Sequence, residues 1–156
     1  MKTWATTLLI FIALGVQGQV LTVTNTADSG PGSLRQAITD ANANWGINRI
    51  EFNIPTTDAG YNVTTGVFTI TVSTTELPAI GNRVLTIDGS TQTAATGNTN
   101  TTLFGIGGTV GTDGLSLSQV DGPEIEIVDG VGNLKWGIHA TERDFTINDI
   151  AIHSFG

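Results

Sequence analysis

Short runs in which apolar and polar residues alternate recur along most of the chain. The alternation is clearest at 50–54, 68–72, 85–87, 104–106, 125–127 and 145–147. A period of two is typical of a β-strand that buries one of its faces. Taking one inward residue from each run gives steps of 17 to 21 residues between Phe52, Ile70, Ile87, Ile106, Ile127 and Ile147. A near-constant step of this size predicts stacked structural repeats.

A change of phase near the C-terminus predicts how two strands are joined. In 145–152 the apolar positions are odd before Asn148-Asp149 and even after it. A straight strand keeps one phase, so the polar pair predicts a corner, with Asn in the left-handed backbone that such a bend needs. Asp88-Gly89 resembles an equivalent corner, and 137–140 is a further expected strand. Repeated strand–corner–strand units of about 20 residues predict an all-β parallel β-helix, or solenoid.

One segment, 33–42, departs from the alternation. Its apolar residues recur with the spacing of a single helix face: Leu34, Ala37, Ile38 and Ala41. This spacing predicts a short amphipathic helix, and Ser33 with Gln36 predicts a capping box at its start. Because so short a helix is not stable alone, we expect its apolar face to cover the first coil at the level of Phe52.

The N-terminus, residues 1–18, has the pattern of a signal peptide. A positive charge at the second residue is followed by an apolar run at 8–14 and by small residues at Gly15 and Gly18. This order predicts cleavage after Gly18, with Gly15 as the second choice. A membrane anchor is the alternative, but the run is well short of the roughly 18 residues that a spanning helix needs. We therefore expect a secreted chain, extracellular or at the cell surface, that begins at Gln19 and has no membrane span.

The stretch LTVTNTADSGPGSLRQAI, at 21–38, resembles the start of secreted bacterial right-handed parallel β-helix proteins. The similarity continues to Pro55. In that family a CSLREA-type motif opens a cap helix, and here Gly32 stands in place of the Cys and Gln36 in place of the Glu. The missing Cys excludes a disulfide-bridged form of the cap. The resemblance implies a right-handed, pectate-lyase-like superhelix on a secreted, often surface-attached protein.

The expected organisation therefore has three parts. Residues 1–18 form the signal peptide, 19–48 an N-terminal strand and capping α-helix, and 49–156 the first coils of a right-handed parallel β-helix. A repeat protein needs polar caps at both ends, and no closing cap is recognisable near Gly156. The sequence is thus expected to be an incomplete N-terminal fragment.

Composition narrows the possible partners. The net charge is −8, charged residues make up only 13% of the chain, and there is no cysteine. The absence of clustered basic residues argues against a nucleic-acid partner and against anionic membrane surfaces. Without cysteine, zinc cannot be held through thiolates.

A few side chains are candidates for acid–base or metal chemistry. His139 and His153 are the only histidines, and both are expected at solvent-facing strand positions. Four carboxylates surround one predicted strand: Asp121, Glu124, Glu126 and Asp129. Glu124 and Glu126 are expected on the same outward face, where paired carboxylates suit a cation or glycan cleavage. The basic residues nearby are Lys135 and Arg143, and their spacing from the carboxylates singles out neither as the basic residue that a lyase needs. We expect no catalytic residue, no metal and no cofactor.

Two further segments and one side chain have structural interpretations. The glycine-rich stretch 105–114 is expected to be a flexible loop, because it has neither a second copy nor the Lys-Ser/Thr of a phosphate-binding loop. Segment 91–102, rich in Thr, Asn, Ala and Gly, is expected to be a surface loop insertion. Arg35 on the helix is expected to pair with Asp40 or Glu51.

Two functional classes remain open. The first is a non-catalytic module that presents loops for adhesion, with an extracellular polysaccharide or a surface protein as partner. The second is the N-terminal part of a polysaccharide lyase or glycoside hydrolase. The first is favoured because no charged constellation recurs at the spacing of the repeats, and fold alone does not choose between them.

Overall fold

The computed structural model describes residues 18–44, 46–81, 84–105, 108–110, 115–116 and 118–156. The predicted signal peptide lies outside the described residues, apart from Gly18. The described elements are, in chain order, β1 (Val20–Val23), α1 (Leu34–Ala43), β2 (Asn48–Phe52), β3 (Tyr61–Asn62), β4 (Val67–Val72), β5 (Leu85–Asp88), α2 (Ser90–Thr96), β6 (Leu103–Phe104), β7 (Thr109–Val110), β8 (Leu115–Ser116), β9 (Val120–Asp121), β10 (Ile125–Asp129), β11 (Phe145–Asn148) and β12 (Ile150–His153).

Two four-stranded sheets form the body of the described chain. The first sheet has the order β1-β2-β5-β11 and is parallel throughout. The second has the order β12-β10-β4-β3, in which β3 pairs antiparallel with β4 and the other pairs are parallel. Two small antiparallel pairs, β6 with β9 and β7 with β8, lie outside these sheets.

The alternation of apolar residues sets the inner face of both sheets. Ile50 and Ile87 are neighbours in the first sheet, Ile70 and Ile127 in the second, and all four belong to one buried cluster. Five of the six predicted runs form strands β2, β4, β5, β10 and β11, which confirms them. The remaining run corresponds only to β6, and Ile106 lies outside the described residues.

The prediction of an all-β right-handed parallel β-helix is wrong. The described chain has two helices, and its sheets combine parallel with antiparallel pairs. The regular step of about 20 residues does not correspond to strand stacking. Register partners are 29, 37 and 60 residues apart in the first sheet, and 57 and 25 in the second. The runs at Phe52, Ile70 and Ile87 alternate between the two sheets, and so do those at Ile127 and Ile147, so the step counts strands that are not neighbours.

Helix α1 forms where the apolar spacing predicted it. The four apolar residues of the predicted face are buried, and the helix packs against β1 and β2. Only half of the predicted capping box is present: Ser33 Oγ accepts from the Gln36 N–H (3.2 Å), while the Gln36 side chain donates to Asp40. The expected partner of Arg35 was also wrong, because its guanidinium pairs with Asp28 at 2.6 Å.

The segment predicted as a loop at 91–102 is partly helical, since α2 spans Ser90–Thr96. The helix is held by side chains that complete the hydrogen bonds of neighbouring backbone. Thr91 Oγ1 accepts from the Phe52 N–H at 2.7 Å, and the buried Gln92 bonds both backbone groups of Ile54. These long-range contacts stabilise a Thr- and Ala-rich stretch that local composition assigns to a loop.

The corner predicted at Asn148-Asp149 is present, because β11 belongs to the first sheet and β12 to the second. The left-handed residue is Asp149 (φ 55°) rather than Asn148. Gly89, at the other predicted corner, lies directly against it: a Cβ there would be 2.0 Å from the Asp149 carbonyl oxygen. Segment 137–140 is not a strand and makes a single bridge, between Ala140 and Ile80.

Candidate functional site

A cleft of about 300 Å³ opens on the outer face of the second sheet. It lies where the β3–β4 hairpin, the chain after α2 and the strands β4, β10 and β12 come together. Its lining is mixed, with amides, hydroxyls and one carboxylate beside apolar groups: Asn62, Thr65, Val67, Thr69, Asn100, Thr102, Phe104, Pro123, Glu126 and Ala151.

Close backbone packing holds the two walls of the cleft together. Gly66 in the hairpin has φ 72°, and a Cβ there would lie 1.8 Å from the Thr99 carbonyl oxygen, so glycine is required. Thr99 Oγ1 donates to the Gly66 carbonyl at 2.6 Å. The buried Asn100 accepts from the Thr102 N–H and donates to the Pro123 carbonyl. These hydrogen bonds fix the position of the loop after α2, which forms the wall opposite the hairpin.

Strand register places the floor of the cleft. Thr69, Glu126 and Ala151 are neighbours across β4, β10 and β12, and all three line the cleft. Thr69 Oγ1 donates to Glu126 Oε2 at 2.9 Å. The other carboxylate oxygen, Oε1, is 2.5 Å from His153 Nε2, and His153 Nδ1 is 2.9 Å from Ser154 Oγ. The Glu126 carboxylate is therefore oriented from two sides.

Several groups in the cleft have no partner within the described residues. These are the Asn62 Nδ2 amide and the hydroxyls of Thr65 and Thr102, whereas the Asn62 side-chain oxygen already caps its own turn. Phe104 is 51% exposed. Unpaired donors and acceptors beside an accessible aromatic ring suit a ligand with many hydroxyls and an apolar face.

The four carboxylates predicted as a cluster do not converge. Glu126 lies in the cleft, but Glu124 is buried and accepts from the Thr93 hydroxyl, so the two do not share an outward face. Asp121 accepts from Asn98 Nδ2 at 2.7 Å. Asp129 accepts from three backbone N–H groups of the following loop. The reason is local, since Glu124 precedes β10 and departs from the strand alternation.

Two of the acidic groups have shifted pKa values with different causes. Burial raises the pKa of Asp149, and the nearby charges of Glu124 and Asp88 raise it further. Burial also opposes ionisation of Asp129, but hydrogen bonds from backbone N–H groups, first that of Leu134, outweigh it and lower the pKa. Neither residue lines the cleft.

The remaining candidates lie elsewhere. His139 is half-buried outside a strand and stacks on Trp136, with ring centroids 5.1 Å apart. Lys135 Nζ lies 5.6 Å from the centroid of the same indole. Neither Lys135 nor Arg143 lines the cleft. His153 is in β12 and exposed, as predicted, but its bond to Glu126 was not anticipated.

Two features are absent from the described residues. No group of three or more His, Asp or Glu side chains there has the arrangement needed to hold a metal ion. No helix in the same part of the chain has the length and apolar character to cross a membrane.

Glu126 and its partner His153 were candidates in the sequence, but the other residues that line the cleft were not predicted. Asn62, Thr65 and Thr102 are common surface types, and nothing local distinguishes them. Phe104 was expected on the inward face of a strand, and the structure shows instead that it is 51% exposed. Comparisons of the chain with protein-family models, with curated proteins and with solved structures found no match.

Proposed function

We propose that this chain is a non-catalytic extracellular module that binds a glycan in the cleft beside Phe104. The observation that supports it is the composition of the cleft, where one exposed aromatic ring, unpaired amide and hydroxyl groups and an oriented carboxylate lie within one concave surface. A sugar ring has an apolar C–H face that packs on an aromatic side chain. Its hydroxyls both donate and accept hydrogen bonds, as the groups of this cleft do.

The extracellular assignment is supported by the sequence. Residues 1–18 have the charge, apolar core and small residues of a signal peptide. The chain is then expected to be secreted or retained at the cell surface, where polysaccharides are available as partners.

Binding without turnover is favoured over a lyase or hydrolase by the charges at the cleft. Glycoside hydrolases use two carboxyl groups that flank the scissile bond, and in the described part of the cleft Glu126 is the one carboxylate. No lysine or arginine is among the lining residues that the structure describes to act as a lyase base.

The test uses the chain secreted from its own N-terminus, with N-terminal sequencing to identify the mature start. The mature protein is applied to immobilised plant, fungal and bacterial polysaccharides. Soluble oligosaccharides are prepared from each polysaccharide that retains the protein, and their binding is measured by calorimetry. We expect Phe104→Ala to raise the Kd at least tenfold, because it removes the stacking surface.

Leu103→Ala is the matched control. Leu103 is 54% exposed, adjacent in the chain and outside the cleft lining, so its Kd should change less than twofold. Equal effects of the two substitutions, or retention on no polysaccharide, would contradict the proposal. New reducing ends or unsaturated products in the same mixtures would support the lyase or hydrolase instead.

A further inference from the structure

We infer that the cleft selects uncharged glycans and rejects acidic ones, and that Glu126 is the discriminating group. This inference rests on the proposed function and adds the chemical class of the ligand. It comes from the distribution of charge in and around the cleft.

Among the described residues that line the cleft, Glu126 is the one charged side chain, and the chain as a whole carries a net charge of −8. A uronate or sulfate group in the cleft would lie near this carboxylate, and none of the described lining residues is a cation that could pair with it. Like charges that are forced together raise the free energy of a complex and suppress the wrong partner.

The carboxylate is also unable to turn away easily. Thr69 donates to one of its oxygens and His153 contacts the other, and both contacts come from neighbouring strands of one sheet. Its side chain is 27% exposed, so a bound ligand can still reach it. Each carboxylate oxygen has further acceptor capacity, which suits hydroxyl donors of a neutral sugar.

The neighbouring groups fit the same ligand. The amide of Asn62 and the hydroxyls of Thr65 and Thr102 offer uncharged donors and acceptors, without the guanidinium or ammonium groups that recognise carboxylates. Selection against acidic glycans thus comes both from the repulsion by Glu126 and from the absence of a cation in the described part of the lining.

The experiment compares two hexasaccharides that differ only at C6, one of galactose and one of galacturonic acid with the same linkage, together with neutral glucan and mannan hexamers. Binding is measured at low and at high salt. We expect the best neutral hexamer to bind at least tenfold more tightly than the acidic one. High salt should tighten binding of the acidic hexamer, because it screens repulsion.

Glu126→Gln should reduce the ratio of neutral-hexamer to acidic-hexamer affinity threefold or more, because it removes the repelling charge. The amide keeps the shape of the side chain and can still bond Thr69 and His153. Glu142→Gln removes the same charge at an exposed position outside the cleft lining and should leave the ratio unchanged. An acidic hexamer that binds as well as the neutral ones, or that loses affinity at high salt, overturns the inference but not glycan binding. If no hexamer binds, the proposed function itself fails. If Glu126→Gln fails to fold, the salt dependence of acidic-hexamer binding to the wild type decides whether the cleft repels acidic glycans.

Discussion

At the scale of single residues, the Gln92 side chain makes the backbone hydrogen bonds that a neighbouring strand would otherwise make. It is fully buried, its Oε1 accepts from the Ile54 N–H at 2.8 Å, and its Nε2 donates to the Ile54 carbonyl at 2.9 Å. Ile54 is itself buried and lies beyond the end of β2. The amide therefore satisfies two backbone groups that would otherwise be buried without partners.

Replacing this amide should destabilise the protein. Gln92→Ala leaves both backbone groups of Ile54 unpaired, and we expect a loss of about 2 to 4 kcal/mol in the free energy of unfolding. Denaturant titration followed by circular dichroism measures it. Gln119→Ala is the control, because Gln119 is exposed and makes one bond to the Gly105 carbonyl. Its effect should stay within about 0.5 kcal/mol, and equal losses would refute this role for Gln92.

At the scale of elements, an ion pair between Arg35 of helix α1 and Asp28 of the preceding loop also holds the loop that follows β4. Arg35 donates to Asp28 and to the carbonyls of Thr75 and Glu76, while Asp28 also accepts from the Thr74 hydroxyl. Burial raises the pKa of Asp28, but the hydrogen bonds from Arg35 and Thr74 and the charge of Arg35 outweigh it and lower the pKa.

A lowered pKa makes this link sensitive to acid. The ionised Asp28 contributes stability above the ordinary pKa of an aspartate, about 3.9, and loses it as the pH falls through the lower folded-state pKa. We expect Asp28→Asn to be less stable than the wild type at pH 7, and the difference to shrink as the pH falls below about 4. Unfolding free energies measured from pH 7 to pH 2.5 test this.

Asp40→Asn is the control for that series. It removes one carboxylate from the exposed side of α1, where Asp40 accepts one hydrogen bond, from Gln36 of the same helix. A difference from the wild type that stays constant from pH 7 to pH 2.5 in Asp28→Asn would contradict the role of the ion pair.

At the scale of the whole molecule, the described sheets have open edges. Strands β11 and β12 are consecutive in the chain and terminate the first and second sheets respectively. Their apolar residues are less buried than those of the inner strands, and Ile152 is 36% exposed. Unpaired strand edges beside exposed apolar residues promote association between copies.

The chain from Gln19 to Gly156 should therefore self-associate as its concentration rises, which light scattering measures. Ile152→Lys should reduce the association, because a charge on an edge strand opposes pairing. Ile47→Lys is the matched control, with a side chain that is 72% exposed and outside both edge strands. A monomer at all concentrations, or equal effects of the two lysines, would contradict this interpretation.

The amino-acid sequence by itself determined the local features of this protein. Alternation placed the buried faces of β2, β4, β5, β10 and β11, and the helical spacing placed α1. The phase change at Asn148-Asp149 marked the point where the chain moves from one sheet to the other. These features are predictable because each depends on residues within a few positions of one another, and burial of one face imposes the period.

Only the tertiary structure decided which strands are neighbours, where α2 forms and how the cleft is built. Glu126 meets Thr69 from 57 residues away and His153 from 27, and Gln92 meets Ile54 across 38. Alternation specifies which side of a strand is buried but not which strand lies beside it, so it could not reveal that the runs belong to two sheets. The cleft depends on that pairing, and for this reason its residues became a site only when the folded chain brought them together.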